Sequence, residues 1–462
     1  MALAQLHDRL EQRFSLLTGG SRAALPRQQT LRALVEWSYE LLSDPEQTAF
    51  CRLSVFSGGF DLDAAEAVVP DEDLGTGAVL DLLDSLVDKS LIVYDPGVDR
   101  YRLLETLRQY GAEHLSASGD ASRVQDRHLR YFLDLARRGY QARTGAESEW
   151  LAQLESEHDN LRVALGWARH TRPNDELALA GFLGWFWQLH SHYVEGQARL
   201  SEVLDGREDV SPEVARALWG LGILAGMTGD RGSALSPAEL SVTMWRELGD
   251  DAEVAAALES LGWGAFMSGR DEESLARFEE SLVIRQRLDN ERLVNVAELE
   301  VCQALVALGR VDEAEARSRA ALPAAIANSD PKAIHWAHHF IGDCALIRGE
   351  VDEAERRYQI SLRSAIELGD EFETACELDG IAMAVAGQGR WRKALILRAA
   401  AADKLGALGA DLSQVHFWNG LLERYLGPAR KGLGQESAPA DAEGRSLGFA
   451  GAIEYAGDTS LD

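Results

Sequence analysis

Apolar residues recur three and four positions apart along most of the chain, with polar residues between them. In the stretch 311–322, for example, Val311, Ala314, Ala321 and Leu322 fall on one face of a helix. This spacing is the pattern of an amphipathic helix that is buried on one side. The sequence therefore predicts a mainly α-helical protein.

A glycine returns every 40 residues in the second half of the chain: Gly229, Gly269, Gly309, Gly349 and Gly389. At such a point a glycine lets one helix end and the next begin sharply. A single helix pair cannot bury its apolar face alone, and stacking the next pair covers it. The period therefore predicts an α-solenoid of helix pairs.

Three further series keep the same 40-residue register. Small residues follow each turn glycine after five positions: Ala234, Ser274, Ala314, Ala354 and Ala394. Small side chains also precede it by seven positions: Gly222, Gly262, Cys302, Gly342 and Ala382. The units close on Leu248, Leu288, Asn328, Leu368 and Leu408. Small residues on facing helices predict that the two backbones of a pair approach closely.

This pattern resembles tetratricopeptide repeats, in the lengthened form found in bacterial regulators. The resemblance covers roughly residues 175–425 and implies an inner groove that binds a partner. An aromatic cluster of Trp185, Phe186, Trp187 and Tyr193 stands at the front edge of the array. Such a cluster is either the capping core of the array or part of a ligand site.

The N-terminal part follows a different pattern. Residues 26–115 predict three or four helices followed by a β-hairpin around the Pro96-Gly97 turn, which is the order of a winged helix. Residues 1–25 predict an N-terminal helix left from a helical domain, and residues 116–174 predict connecting helices. Residues 426–462 predict a flexible linker that opens with GPARKGLGQESAPADAEGR, followed by a capping helix around 447–456.

A winged helix raises the question of DNA binding. The helix in the recognition position, 78–91, carries Asp81, Asp84 and Asp88 against a single Lys89. Carboxylates repel a phosphate-lined groove. The net charge of −29 has the same effect over the whole chain. We therefore expect no direct contact with nucleic acid and a protein-packing role for this domain.

Several long segments resemble the region that follows the nucleotide-binding domain in STAND-type signal-transducing ATPases, the AfsR-like and LuxR-like bacterial transcriptional regulators. They include LTGGSRAALPRQQTLRALVEWSYELL, LLDSLVDKSLIVYD, EWLAQLESEHDNLRVALGWA and AEGRSLGFAGAIEYA. The resemblance implies a winged-helix and sensor half of such a regulator. The nucleotide-binding P-loop G-x-x-x-x-G-K-[ST] does not occur, and the histidine that touches ADP phosphate in animal and plant relatives aligns with Leu104. Nucleotide binding is therefore not carried over, and no cofactor is expected.

Catalytic and membrane signals are weak. GxSxG and HExxH are absent, the N-terminus does not read as a signal peptide, and the longest apolar run, 177–187, is too short to cross a bilayer. The cysteines Cys51, Cys302, Cys344 and Cys376 stand far apart among apolar helix positions, which predicts buried thiols. We expect a cytoplasmic protein that is not an enzyme and holds no metal.

The tightest histidine group is His335, His338 and His339. His335 and His339 lie one helical turn apart and share a face. Ordinary helix packing, a contact with a ligand or partner, and a metal site are the alternatives. His190 and His192, two positions apart on a predicted helix, are expected to point in different directions. The candidate groove residues are thus His335, His338, His339, Trp185, Trp187 and Tyr193.

These patterns favour a regulatory scaffold that binds a protein, a peptide or a small inducer in its repeat groove, within a transcriptional-regulator-like system. Its partner could be a separate ATPase or a DNA-binding subunit. The alternatives are a nucleotide-responsive regulator fragment with a DNA-related role, a direct DNA binder, and a fragment without an independent role. Ligand identity and oligomeric state do not follow from one sequence.

Overall fold

The computed structural model describes residues 26–143, 147–229 and 231–457 of the 462-residue chain. The helix predicted within residues 1–25 lies outside these described residues. The chain forms two compact units. The first contains the residues up to Phe132 together with Glu157–Trp167, and the second contains Leu133–Ser156 together with the residues from Ala168. The segment predicted as connecting helices, 116–174, is divided between them, and the predicted domain limits stay predictions.

The first unit contains a bundle of short helices and a β-hairpin, as the sequence predicted. Its elements are α1 (Pro26–Glu40), α2 (Asp44–Leu53), α3 (Leu62–Val68), α4 (Val79–Asp88), β1 (Val93–Asp95), β2 (Arg100–Arg102), α5 (Glu105–Ser118), the first half of α6 (Ala121–Ala142) and most of α8 (His158–Thr171). The two strands pair antiparallel, with Tyr94 opposite Tyr101. Helices followed by this hairpin confirm the winged-helix prediction.

The start of α2 shows how local sequence fixes an element of this unit. The backbone N–H of Ser43 donates to Glu46 Oε2 at 2.8 Å, which is one half of a capping box, and Pro45 occupies the first turn. Hydrogen bonds from Lys89 and Ser85 hold the pKa of Glu46 at about 2. Glu46 thereby links α2 to α4 as a carboxylate.

The second unit is a succession of helix pairs, and each regular pair consists of a first helix, a turn and a second helix of similar length. Before the regular pairs come α7 (Glu147–Ser156), α9 (Pro173–Leu189) and α10 (Tyr193–Leu204). The pairs are α11 (Pro212–Met227) with α12 (Arg231–Leu248), α13 (Asp251–Met267) with α14 (Asp271–Arg287), α15 (Glu291–Ala307) with α16 (Val311–Ala327), α17 (Pro331–Arg348) with α18 (Val351–Leu368), and α19 (Glu371–Gly387) with α20 (Trp391–Leu408). The array is closed by α21 (His416–Leu433) and α22 (Ser437–Gly457). The predicted α-solenoid is confirmed.

The turn glycines have the conformation that the repeat requires. All five lie in the left-handed region, with φ between 69° at Gly269 and 89° at Gly389. A second left-handed series ends the second helix of each pair: Gly249, Asp289, Ser329, Gly369 and Gly409. An acidic or amide side chain then caps the next helix, as Asp370 does by accepting from the backbone N–H of Glu373 at 2.9 Å. Local chemistry thus sets both turns of the repeat.

The array turns far enough for its first helices to meet its last ones. The backbone N–H of Asp411, which follows α20, donates to the carbonyl of Met227 in α11 at 3.0 Å. The rings of Tyr193 and Phe372 lie 6.4 Å apart, edge to face. Residues that are far apart in sequence therefore line one interior.

Helix α21 lies within that interior. Its Phe417 ring is 6.2 Å from Phe266 of α13, and its Trp418 ring stacks 5.8 Å from His339 of α17. The hydroxyl of Tyr425 donates to the carbonyl of Leu346 at 2.6 Å. These contacts place one helix against the first helices of two different pairs.

The predicted linker is wrong for most of its length. Residues 427–433 belong to α21 and residues from Ser437 belong to α22. Ala440 and Gly444 are buried, and a Cβ at Gly444 would lie 2.9 Å from the Cβ of Ala399 in α20. A run of polar and small residues is typical of a linker when the sequence is considered alone. In the structure, the small residues Ala440 and Gly444 allow α22 to pack closely on the last repeat.

The four cysteines are buried thiols, as predicted. In the described ranges, every helix is too short or too polar to cross a membrane.

Candidate functional site

A cluster of titratable side chains lies where α17, α18 and α19 meet. His339 Nδ1 is 2.6 Å from Glu377 Oε1, and its Nε2 is 3.4 Å from Asp343 Oδ2. His335 Nε2 lies 3.4 Å from Glu373 Oε2. The two imidazoles are 6.0 Å apart, so the structure brings them together on one face of α17.

Hydroxyl groups of α18 complete this cluster. The Tyr358 hydroxyl donates to Asp343 Oδ1 at 2.6 Å. Ser361 Oγ lies 2.6 Å from His335 Nδ1 and 3.0 Å from Glu377 Oε1. Buried polar groups are costly without partners, so this network fixes the three helices relative to one another.

The environment changes the proton affinities of these groups. Burial alone lowers the pKa of His339, but the charges of Asp343 and Glu377 outweigh it and raise the pKa to about 10. Burial raises the pKa of Asp343 to about 6, against the lowering effect of His339. At neutral pH the His339 imidazolium therefore lies among carboxylates in a medium that screens charge weakly.

A first cavity opens beside this cluster and contains about 640 Å³ of space that protein atoms do not fill. Its walls come from α7, α9, α10, α11, α13, α17, α18 and α19. They include Tyr193, Trp263, Lys332, His335, Trp336, Asp370 and Glu373. Tyr193 and His335 stand 142 positions apart in the chain and meet here because the array turns back on itself.

A second cavity adjoins the first, and the two share Trp263, Phe372 and Glu373. About 450 Å³ of space is free of protein atoms there, including the open solvent at its mouth. His339, Asp343 and Trp418 also line the second cavity. We call the two cavities together the inner groove. It combines aromatic rings with the carboxyl groups of Asp343, Asp370 and Glu373, and it also contains Lys332, His335 and His339. Aromatic faces and carboxylates are groups that attract cations.

Burial raises the pKa of Asp370 to about 7, and the neighbouring charge of Glu373 adds to the effect. A carboxyl group with this pKa is partly protonated at neutral pH. A cation that entered the groove would favour its ionised form. The groove can therefore exchange a proton for a bound positive charge.

The remaining predicted residues lie elsewhere. Arg357 Nη1 donates to His338 Nδ1 at 3.2 Å, so His338 faces α18. Trp185 and Trp187 are buried, and a Cβ at Gly196 would lie 2.8 Å from the Trp187 ring. This packing of α9 against α10 favours the capping-core interpretation for both tryptophans.

Sequence reasoning missed the acidic side of the groove. Glu373 and Glu377 belong to EFETACELDG, and both are inward positions of a helix whose other buried residues are mostly apolar. A carboxylate at an inward helix position is rare without a partner. That signal could have singled them out, although it does not identify the histidines that face them.

Sequence reasoning also missed the role of Glu155 beside His190 and His192. His190 Nδ1 and His192 Nε2 each lie 3.0 Å from Glu155 Oε2. The expectation that the two histidines point in different directions is wrong. Helix α9 ends at Leu189, before both histidines, and the turn at Ser191, with φ 59°, brings both rings to the same side.

On the winged-helix unit, the exposed face of α4 carries Asp81, Asp84 and Asp88. Lys89 is paired with Glu46. Asn160 of α8 is buried and binds the turn before α3: it accepts from the backbone N–H of Ser57 at 2.7 Å and donates to the Gly59 carbonyl at 2.8 Å. The unit thus has a well-braced interior and an acidic outer helix.

Comparison with known proteins identifies the domain type of the first unit. Residues 42–116 match the winged helix-turn-helix domain family. A 264-residue segment, 54% of this chain, is 41% identical to a protein of Mycobacterium tuberculosis named "Putative HTH-type transcriptional regulator" and covers 30% of it. A 132-residue segment, 28% of this chain, is 45% identical to an uncharacterized M. tuberculosis protein and covers 33% of it. The chain thus spans about a third of the length of these curated relatives.

Two solved structures have similar backbones. A STAND protein with a tetratricopeptide repeat sensor from Pyrococcus horikoshii aligns with 91% of this chain and 68% of its own, at 12% identity and a TM-score of 0.47. A Rap protein complexed with competence and sporulation factor aligns with 72% of this chain and 95% of its own, at 13% identity and a TM-score of 0.42. The family match, the relatives and the helix bounds show a chain that joins a winged helix-turn-helix domain, residues 42–116, to an array of helix pairs, and that has regulator-like relatives.

Proposed function

We propose that this chain is a non-catalytic regulatory scaffold whose inner groove binds a cationic peptide segment or a small cationic inducer. One observation supports this most: aromatic and acidic side chains from both ends of the array converge on one cavity that is open to solvent. Tyr193, Trp263 and Trp336 supply rings, and Asp370 and Glu373 supply carboxylates. Rings and carboxylates together are the recognition chemistry of ammonium and guanidinium groups.

Binding in the groove would act on the array as a whole. A ligand that touches α10, α17 and α19 together bridges the first and last helices, which otherwise meet through few contacts. A ligand shifts the array toward the arrangement that it binds more tightly. The size of the shift is set by the difference between its binding free energies for the closed arrangement and for any other. This is how a sensor of this build converts binding into regulation.

The winged helix would then serve as a protein-docking module rather than a reader of DNA. The exposed carboxylates of α4 oppose contact with phosphate. A basic surface on a separate ATPase or DNA-binding subunit would complement them. The regulator-like relatives support a role in transcription control.

The family match gives a second candidate, a nucleotide-responsive regulator fragment that contacts DNA through the winged helix. It predicts binding of duplex DNA that weakens steeply with salt. The first candidate predicts no such binding by this chain.

The test is a selection of random pentapeptides on the immobilised full chain, followed by affinity measurement of the enriched sequences. Asp370→Asn and Glu373→Gln remove one charge each from the groove with little change of shape, and Asn keeps the capping function of residue 370. Glu367→Gln, exposed on α18, is the matched control. We expect enriched Lys- or Arg-containing peptides to lose at least about tenfold in affinity with either groove variant and to keep it with the control.

Equal binding to the wild type and both groove variants would refute the groove as the site. Failure to enrich any peptide, together with failure of an arginine- and amine-containing small-molecule set, would refute cation recognition. Salt-sensitive binding of a random 30-base-pair duplex would favour the second candidate.

A further inference from the structure

We infer a transition-metal site at Glu155, His190 and His192, outside the inner groove. Each of these residues offers one ligand atom, and the three atoms lie within 4.8 Å of one another. Two imidazole nitrogens and one carboxylate oxygen are the donor set that Zn²⁺ takes in proteins when one position stays open. The site therefore suits a divalent zinc-like ion with water as its remaining ligand.

The spacing of the donors fits such an ion. A tetrahedral zinc with Zn–N bonds of about 2.0–2.1 Å and Zn–O bonds of about 2.0–2.2 Å holds its ligands roughly 3.3 Å apart. Both imidazole nitrogens lie 3.0 Å from the same atom, Glu155 Oε2. The two imidazole nitrogens lie within 4.8 Å of each other, so an ion would draw them together by at most about 1.5 Å.

The backbone is shaped to hold the pair of histidines. Residues i and i+2 of a continuous helix point to different sides. Here α9 ends at Leu189, and Ser191 in the following turn has φ 59°, a conformation that residues other than glycine adopt at a cost. The ring of Phe186 lies 5.3 Å from His190 and 5.5 Å from His192, so both imidazoles pack on one buried support.

The site is also reachable. The His190 and His192 side chains are 15% and 25% exposed, and that of Glu155 is 44% exposed. An ion can therefore enter the site from solvent.

A bound ion would link α7 to the turn between α9 and α10. Glu155 is the second-last residue of α7, and the two histidines flank the turn between α9 and α10. Gln188, Leu189 and Tyr193 of that junction line the first cavity. The ion would hold one wall of the groove in place, and its binding does not depend on what the groove recognises.

The experiment titrates the chelator-stripped full chain with ZnSO₄ in a calorimeter and, in parallel, with CoCl₂ in a spectrophotometer. We expect one equivalent of each ion to bind, visible ligand-field absorption typical of four- or five-coordinate cobalt, and a rise in Tm with zinc. Glu155→Gln, His190→Asn and His192→Asn should each weaken binding at least about 100-fold, the upper end of what loss of an outer-shell partner costs. His170→Asn, an exposed histidine on α8, should bind like the wild type.

Any of three results would overturn the site. They are no binding of either ion to the wild type at micromolar concentration, an unchanged metal affinity in the Glu155 variant, and a loss of metal affinity in the His170 variant as large as that in the site variants. Far-UV circular dichroism and Tm of each metal-free variant separate loss of the site from loss of the fold. A variant with wild-type helicity and Tm but no metal binding supports the assignment directly.

Discussion

Gly262 of α13 faces the ring of Phe278 in α14, and the absence of a side chain at residue 262 leaves space for that ring. Substitutions at these two positions test how the two helices of one pair pack. A Cβ added at Gly262 would lie 2.6 and 2.7 Å from two ring carbons of Phe278, which is fully buried. Carbon atoms in contact prefer about 3.5–4.0 Å, so the methyl group overlaps the ring by roughly 1 Å.

The magnitude follows from two opposing effects. Overpacking a well-filled core costs about 1–3 kcal/mol. Replacing a mid-helix glycine with alanine recovers about 1 kcal/mol of helix propensity. We therefore expect Gly262→Ala to lower the free energy of unfolding by up to about 2 kcal/mol. Gly420→Ala, where nothing lies within 4 Å of the new Cβ, should instead raise it by about 0.5–1 kcal/mol.

The next repeat supplies the compensating pair. Cys302 and Ser318 occupy the positions equivalent to Gly262 and Phe278, and both are fully buried. A larger residue on the first helix thus faces a smaller one on the second. Phe278→Ser alone should cost about 3–5 kcal/mol for the cavity it leaves. The double variant Gly262→Cys, Phe278→Ser should lose less free energy of unfolding than the two single variants lose in sum, by at least about 1 kcal/mol.

The assay is urea unfolding followed by far-UV circular dichroism, with hydrogen exchange over residues 251–287 as the local measurement. The local measurement matters because repeats can unfold in steps. Additivity of the two substitutions within about 0.5 kcal/mol, or stabilisation by Gly262→Ala, would refute the packing argument.

Three other substitutions test single contacts or a single titration. Ser329→Gly should raise the free energy of unfolding by about 0.5–1 kcal/mol, because residue 329 has φ 49° where the repeat elsewhere places glycine; a loss of Tm would contradict this. Asn160→Ala should lower it by about 2 kcal/mol or more, since two backbone groups lose their buried partner, and unchanged urea midpoints would argue against the brace. Burial lowers the pKa of His128 to about 3, so the neutral ring stabilises the fold above pH 6.5 and this contribution is lost as pH falls toward 3. The loss amounts to about 2 kcal/mol at pH 5, and His128→Phe should flatten the acid side of a Tm-against-pH curve, while an unchanged slope would exclude His128 as its cause.

The sequence by itself determined the local plan of the molecule. Helix periodicity, the 40-residue register and the left-handed turn positions are encoded within a few residues of where they act, so they can be read without a structure. The winged-helix order followed in the same way from helices and a Pro96-Gly97 hairpin. Even the caps, such as Asp370, obey a local rule.

Only the tertiary structure decided which of these local pieces meet. Tyr193 reaches the cavity of His335 because small rotations between successive pairs add up until the array closes, and no single repeat encodes that sum. One left-handed residue, Ser191, turns two histidines toward Glu155. The segment expected as a linker became helix because Gly444 found a close-packed surface on α20. Charge, proton affinity and ligand geometry depend on such distant neighbours, whereas backbone conformation depends mostly on near ones.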